Sequence, residues 1–548
     1  MVDGGVRGWF AACQVTARKG GEKFMRPQIW HPPIEPSSKE RKVMELVKRA
    51  KLFVFLRENR HEIFDESFQK ELSETYRESR LGRPPVEPAR LALATVLQAY
   101  TGVSDDEAME AMVMDRRWQL VLDCLGADEP PFSKWTLVNF RRRLIEHELD
   151  RRLIERTVEV ASGRGGFSDR RLRAALDSSP LWGAGRVEDT YNLLGHALKK
   201  ALGVICGQQG RGLAEVAEEV GAGVLAGSSL KAALDLDWDD PAERAIALCR
   251  VLVALEAVEE YLQSGGFPER ARAGESIETA RRVAEQDIEE TDDGSLVLRR
   301  GVARERLVSV EDQQMRHGRK SRSVRFSGYK RHVLKDLDSG LVRAVGITRA
   351  NAPEATVTEG ISRDLRSQQT RLSQLHIDRA YLSSELVRER PEDLEVYCKA
   401  WAVRNAGRYP KTDFALDWDR GVLRCPAGAE MGFEVGGVVR FPKKTCAACP
   451  LRERCTKSKS GGRSVSIHPD ERLLRELRER QKTPEGRAKL RERVEVEHSL
   501  AHIGHWQGGR ARYVGERKNL FDLRRSAVVH NLHVIARMPE EQRDAVAA

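Results

Sequence analysis

Three acidic residues stand out by position. Asp177 closes the short alternating run Arg171-Leu172-Arg173-Ala174-Ala175-Leu176, and Asp378 closes Leu372-Ser373-Gln374-Leu375-His376-Ile377. Each reads as a strand ending in an acid. Glu497 follows Arg493 by four residues, so the two share a helix face. Hard cations such as Mg²⁺ or Mn²⁺ take oxygen ligands. Cutting or joining a phosphodiester needs a charge clamp on the attacking and leaving oxygens, which two such ions about 3.5–4 Å apart supply. Acids converging from separate elements would hold them. Taken singly, the same residues have plainer explanations: turns routinely begin with Asp, and Arg493 with Glu497 also suits a surface ion pair. Glu495 competes for the third place, but two residues along a helix turn it about 200° away.

A second constellation is sulfur. Cys446 and Cys449 form a C-x₂-C pair, with Cys455 six residues on and Cys425 twenty-one before. Four thiolates satisfy tetrahedral Zn²⁺; unliganded or redox-active thiols are the alternative. Either way the cluster stiffens an insertion and does no chemistry. Nine cysteines in 548 residues are too sparse for a disulfide scaffold. Cys13, Cys124, Cys206, Cys249 and Cys398 are scattered, as core or surface thiols are.

The elements that must carry these residues can be read from periodicity. Residues 1–38, with Gly4, Gly5, Gly20, Gly21, Pro32 and Pro33, read as a disordered leader in which Met25 is an alternative start. Residues 39–165 are helical and read as a DNA-binding domain, with a helix start at Ser104-Asp105-Asp106-Glu107. A later helix there carries Arg141, Arg142 and Arg143, which could face phosphate. The first acid-bearing strand occupies 166–185, stopped by Pro180 and Gly183. A helical insertion follows at 186–295. Residues 296–402 hold a hairpin (323–333 with 341–347), a helix to about Leu365, the Asp378 strand, a helix capped by Ser383 or Ser384, and a strand at 394–398. A Cys-rich insertion spans 403–480. One helix from about Thr483 to Ile503 opens the segment 481–537, which ends in a basic stretch, and 538–548 is a tail. Strand with acid, hairpin, helix, strand with acid, strand, insertion and helix with acid make an α/β fold. It is a ribonuclease H-like mixed sheet with flanking helices, plus an all-helical N-terminal domain and the two insertions.

Charge agrees with a polyanionic partner. Lys and Arg number 93 against 83 acids, giving +10, and the basic residues cluster. Arg316, Arg319, Lys320, Arg322 and Arg325 precede a strand; Arg510, Arg512, Arg517, Lys518, Arg524 and Arg525 lie near the C-terminus. Neutralising phosphates releases counterions, although a solvated face can look the same. No apolar stretch reaches the roughly 18 residues of a membrane span, and no secretory leader is evident. The expected setting is cytoplasmic.

Several stretches in order carry a family likeness. They are Leu176-Asp177-Ser178-Ser179-Pro180 with Val187-Glu188-Asp189-Thr190-Tyr191, Arg316-His317-Gly318-Arg319-Lys320-Ser321, and Ser327-Gly328-Tyr329-Lys330. Then come His376-Ile377-Asp378-Arg379-Ala380-Tyr381, Val496-Glu497-His498, Arg510-Ala511-Arg512-Tyr513 and Asn531-Leu532. Over roughly residues 40 to 537 the chain resembles the insertion-sequence DDE transposases of the superfamily named for insertion sequence four, most closely its eleven-eighty-two branch. The resemblance implies that Asp177, Asp378 and Glu497 are the catalytic triad. They would bind two divalent ions that activate water or a DNA 3′ hydroxyl for in-line attack. The family's last motif carries a tyrosine before, and a lysine after, its arginine–glutamate pair. Arg493 and Glu497 fit the pair, Leu490 takes the tyrosine place and Ile503-Gly504 the lysine place.

Lys330, Arg379 and Tyr381 are candidate phosphate contacts, as are Arg493, Arg510, Arg512 and Lys518. The expected activity is binding the terminal inverted repeats of a mobile element in double-stranded DNA, cutting, and joining to a target, in a homodimeric or larger synaptic complex. A DNA-binding regulator without catalysis and a ribonuclease H-like nuclease without strand transfer are the alternatives.

Overall fold

The computed structural model describes residues 26–77, 84–165, 171–292, 294–321 and 323–538. Most of the expected leader, Cys13, Arg322 and nearly all of the expected tail lie outside these residues.

Helices from Ser38 to Gly163 form the N-terminal unit. Ser37 and Glu40 close a capping box on the first, and Ser104 with Glu107 closes another where the sequence marks a helix start. Within the expected leader, residues 26–38 are not loose. Trp30 is buried, its backbone N–H donates to Gln69 Oε1 at 2.7 Å, and the Arg60 and Arg90 guanidiniums lie over its ring. An indole that covers two guanidiniums pins the segment.

A six-stranded mixed sheet follows. Its strands are β1 (Arg171–Trp182), β2 (Arg316–Arg319), β3 (Arg325–Asp336), β4 (Val342–Arg349), β5 (Arg371–Ile377) and β6 (Glu395–Tyr397). β3 pairs antiparallel with β1 on one side and with β2 and β4 on the other; β1–β5 and β5–β6 are parallel. From β4 the order is thus β4-β3-β1-β5-β6. Alternation along β1 serves two cores. Leu172, Ala174 and Leu176 enter a cluster with Ile361, Leu365 and Leu375. Ala175 enters the cluster on the opposite face, which also holds the N-terminal helices and Phe521, Leu523 and Val529 of the buried helix Glu516–Ile535.

Two expectations are corrected here. Asp177 lies inside β1, not at its end, and Pro180 does not stop the strand. The reason is the unequal reach of β1's neighbours. Pairing with β5 ends at Leu176–Ile377, while pairing with β3 runs on to Trp182–Gly328. Trp182 N–H donates to Gly509 O, on the side away from β3. Pro180, two residues earlier, turns its missing N–H toward that same vacated side, where a proline is tolerated. The second concerns the expected helix from Thr483 to Ile503, which is two helices, Pro484–Glu492 and Val494–Gln507, broken at Arg493. Ser384 precedes only a four-residue helix and gives it no side-chain cap.

Gly328 shows what the Ser-Gly-Tyr-Lys stretch needs. Its φ is +147°, and a Cβ there would collide with Gly183 N and Leu181 O across the pair with β1. Asn531, wholly buried on the Glu516–Ile535 helix, closes the edge of β4. Its Oδ1 accepts from Val342 N–H at 2.8 Å, and its Nδ2 donates to Val342 O and Thr157 Oγ1, both at 2.9 Å.

The insertion Thr190–Asp287 has its own core, including Leu194, Leu198, Val251, Val258 and Val283. Its base is closed by Arg306, which binds Asp287 at 2.9 Å while Thr190 donates to the same carboxylate. The Cys-rich region packs small strands around Phe414, Leu423, Phe441 and Ile467. Among the described residues, no helix is long and apolar enough to cross a membrane.

Candidate active site

The early end of β5 leaves the second half of β1 with an open edge, and a cleft of about 550 Å³ opens there. Asp177 enters it from inside β1. Asp378 enters from the turn immediately after β5, and Glu497 from the first turn of Val494–Gln507. All three acids expected to act together line this one cleft.

The two aspartates are held alike. Asp177 Oδ1 accepts from Ser178 N–H at 2.8 Å, and Asp378 Oδ1 accepts from Arg379 N–H at 2.7 Å. Each carboxylate thereby fixes one oxygen on its own backbone and leaves the other for the cleft. Asp177 Oδ2 accepts from the Arg493 guanidinium, whose Nη2 also donates to Glu497 Oε1 at 3.0 Å. Burial holds the Asp177 carboxyl above its ordinary pKa; Arg493 and the Ser178 N–H oppose this, and the like charges of Glu497 and Asp378 add to it. Glu495 turns away, its carboxylate 3.4 Å from Lys335 on β3, as the helical rotation requires.

The donor types suit a hard divalent cation. The arrangement, however, has Arg493 between Asp177 and Glu497. Among the described residues, no group of three or more His, Cys, Asp or Glu side chains is placed to hold a metal ion. The four thiols fall under the same finding. Cys425, Cys446, Cys449 and Cys455 line one pocket of about 180 Å³, and Arg463 N–H donates to Cys446 Sγ at 3.4 Å. Burial raises the Cys455 thiol pKa; Arg463 opposes this and the other three thiols add to it.

The basic residues divide. Lys330 lines the cleft, its Nζ donating to Ala352 O at 2.9 Å and standing 3.7 Å from Glu354. Arg379 is partly exposed beside Asp378. Tyr381 contradicts its expected role: it is wholly buried, with its hydroxyl 2.7 Å from His332 Nδ1, beyond reach of a phosphate. The apolar core under β5 takes its ring. Burial holds the Tyr381 hydroxyl well above its ordinary pKa and drives His332 down to about 3, leaving the imidazole neutral. His332 Nε2 reaches Thr348 Oγ1 at 2.9 Å, so a buried polar chain supports the turn that presents Asp378.

Arg510 is exposed and donates to the carbonyls of Gly183 and Ala184; Arg512 donates to Gly102 O at 2.7 Å; Lys518 is exposed. Arg524 and Arg525 are not available to DNA. They are buried against Asp150, Asp364 and Asp522, where a guanidinium must find a carboxylate. Arg316 is likewise buried, and Arg141 is paired with Asp105 inside the helical unit.

Two residues of the cleft carry little signal in the sequence. Arg331 is 5% exposed and donates to Ser179 Oγ at 2.8 Å, Gln507 Oε1 at 3.0 Å and Gly508 O at 3.1 Å. It ties the end of the Glu497 helix to β1, and burial lowers its pKa to about 10. A Cβ on Gly504 would stand 3.6 Å from this guanidinium. Strand alternation, which sets Arg331 on the face opposite Lys330, is the one available clue. Glu354 has none beyond following Pro353.

Comparison with protein families gives two matches. Residues 44–143 match the family described as "Transposase domain (DUF772)", and residues 424–536 match "Transposase DDE domain". The second includes Glu497 and the four clustered cysteines but neither aspartate. No curated protein and no solved structure matches the chain. The two matches, one in the N-terminal helical unit and one across the Cys-rich region and the Glu497 helix, show a DDE-type transposase family.

Proposed function

We propose that the chain is an insertion-sequence transposase of the superfamily named for insertion sequence four, in its eleven-eighty-two branch. It binds the terminal inverted repeats of its element and catalyses strand cleavage and strand transfer. The sheet is read as ribonuclease H-like, which the order β4-β3-β1-β5-β6 supports, with β1, β5 and β6 parallel. The observation that carries the reading is the meeting of Asp177, Asp378 and Glu497 in one cleft, from elements up to 320 residues apart.

In this reading Asp177, Asp378 and Glu497 hold Mg²⁺ or Mn²⁺. Two bound ions supply activation of the attacking oxygen and charge neutralisation at the leaving one. The protein's part is positional. The backbone N–H groups of Ser178 and Arg379 fix the aspartates, Arg331 fixes the helix of Glu497, and Lys330 and Arg379 face the DNA backbone. Arg493 must release Asp177 for the acids to act together, and its freed guanidinium then has a phosphate as natural partner. The four thiols close on a structural Zn²⁺. The helical unit ending near Gly163 binds the element's ends. Two ends require two active sites, hence a dimer or larger assembly. The protein works in the cytoplasm, on the nucleoid.

The test is cleavage and joining of DNA carrying the flanking inverted repeats, with Mg²⁺ or Mn²⁺, comparing the wild type with Asp177→Asn, Asp378→Asn and Glu497→Gln. Joined product lost in all three supports the reading. A second reading, a DNA-binding regulator without catalysis, is favoured by the Arg493 bridge across Asp177 and Glu497. Specific binding of the ends with no cleavage in either metal would establish it.

A further inference from the structure

In the helical insertion, the helix Pro241–Ser264 covers one of its faces and leaves the other without a partner. Leu248, Val251, Leu255 and Val258 enter the insertion's core. The opposite row should be polar, as the outer face of a surface helix is. The neighbouring helix Arg270–Asp287 follows this rule and exposes Glu275, Glu278 and Arg282. On Pro241–Ser264 the outer row reads Ile246, Cys249, Val253 and Ala257 instead. Val253 is 59% exposed, Ile246 is 46% exposed, and Cys249 is exposed and free. Apolar side chains gathered on one exposed face mark a contact surface.

Charge indicates what covers it. Arg250 and Glu256 are exposed, three residues before and three after Val253, and neither has an ion-pair partner among the described residues. At about 100° and 1.5 Å per residue they stand about 60° to either side of Val253 and about 4.5 Å before and beyond it along the axis. A twofold axis through Val253 reverses both offsets at once. It therefore lays Arg250 of one copy on Glu256 of the other, twice, and sets Val253 against its own copy. The same rotation brings Cys249 over Ala257 and Ile246 over the methylenes of Glu260. A surface complementary to itself under a twofold axis is what an isologous dimer requires.

We propose that the chain pairs with a second copy through Pro241–Ser264, the two helices running antiparallel about Val253. The proposal rests on the reading that two copies act on two element ends, but its test uses neither DNA nor metal. Association of the full chain is followed by sedimentation equilibrium at low salt, where exposed ion pairs count most. Wild type should dimerise. Arg250→Glu and Glu256→Arg each set two like-charge pairs at the centre and should weaken the dimer on the order of a hundredfold. The double variant restores opposite charges and should dimerise within a few-fold of wild type. Mixing the two single variants should do the same, because each then meets its complement in the other chain. Neither recovery is open to a chain that has misfolded. A wild type that stays monomeric gives the face to some other partner and overturns the interface. So do charge variants that dimerise as wild type does, or single variants that stay monomeric when mixed. Cleavage is read separately: a monomer that still cuts DNA fails the interface alone, and a charge-sensitive dimer that cuts nothing fails the catalytic reading alone.

Discussion

Arg493 crosses the cleft to bind Asp177, a residue 316 positions earlier in the chain, while also holding Glu497 on its own helix. One guanidinium thus neutralises two of the three acids, and any cation they take must displace it. Arg493→Ala should bind Mn²⁺ roughly tenfold more tightly, because a charged hydrogen bond of on the order of 1.5 kcal/mol no longer competes. Free-ion titration by electron paramagnetic resonance reads this directly. An unchanged or weaker Mn²⁺ midpoint would show that Arg493 does not guard the acids.

Glu495 and Glu497 make a built-in control, since they differ by two positions and point to different neighbours. Glu497→Gln should reduce strand cleavage on the order of a thousandfold, as expected when one ligand of the charge clamp is removed. Glu495→Gln loses only its contact with Lys335 and should cleave within a few-fold of wild type. Comparable losses in both variants would remove Glu497 from its proposed role.

The pair also illustrates what a sequence can and cannot display. Local periodicity is enough to separate Glu495 from Glu497, to mark the capping box at Ser104, and to find the strands that carry Asp177 and Asp378. It is blind to how far neighbouring strands reach. That β1 outruns β5, which opens the cleft and lets Pro180 sit inside a strand, depends on register between segments about two hundred residues apart. Burial is equally hidden. Tyr381 looks like a contact residue because it follows Asp378, yet it faces the core. Arg524 looks like part of a basic patch because its partners Asp150 and Asp364 lie far away in the chain.

Asn531 joins the edge of β4 to the helical unit through Val342 and Thr157, and it is wholly buried. Asn531→Leu should destabilise the protein by about 1–3 kcal/mol, the cost of leaving the Val342 N–H and C=O buried and unpaired. The urea midpoint of unfolding should fall accordingly. An unaltered midpoint would mean that those groups find other partners.

The four thiols give a prediction independent of DNA. Purified protein should contain about one zinc per chain, the load of a four-thiolate site, and Cys446→Ser should lose it. Elemental analysis that finds no zinc in protein refolded with excess Zn²⁺ would leave them as free thiols.

Acid should loosen the protein through its histidines. Burial lowers His530 and His376 to about 4, from an ordinary 6.5. His530 Nε2 donates to Gly340 O at 3.2 Å. Between these two values the unfolded chain binds the proton and the folded one refuses it, so stability must fall as pH falls from about 6.5 towards 4. Each such histidine contributes up to about 1.4 kcal/mol per pH unit in that window. His530→Gln keeps an N–H donor and removes the titration. Its melting temperature should therefore decline less steeply between pH 6.5 and 5 than that of wild type. Parallel declines would show that His530 is protonated in the folded protein without cost.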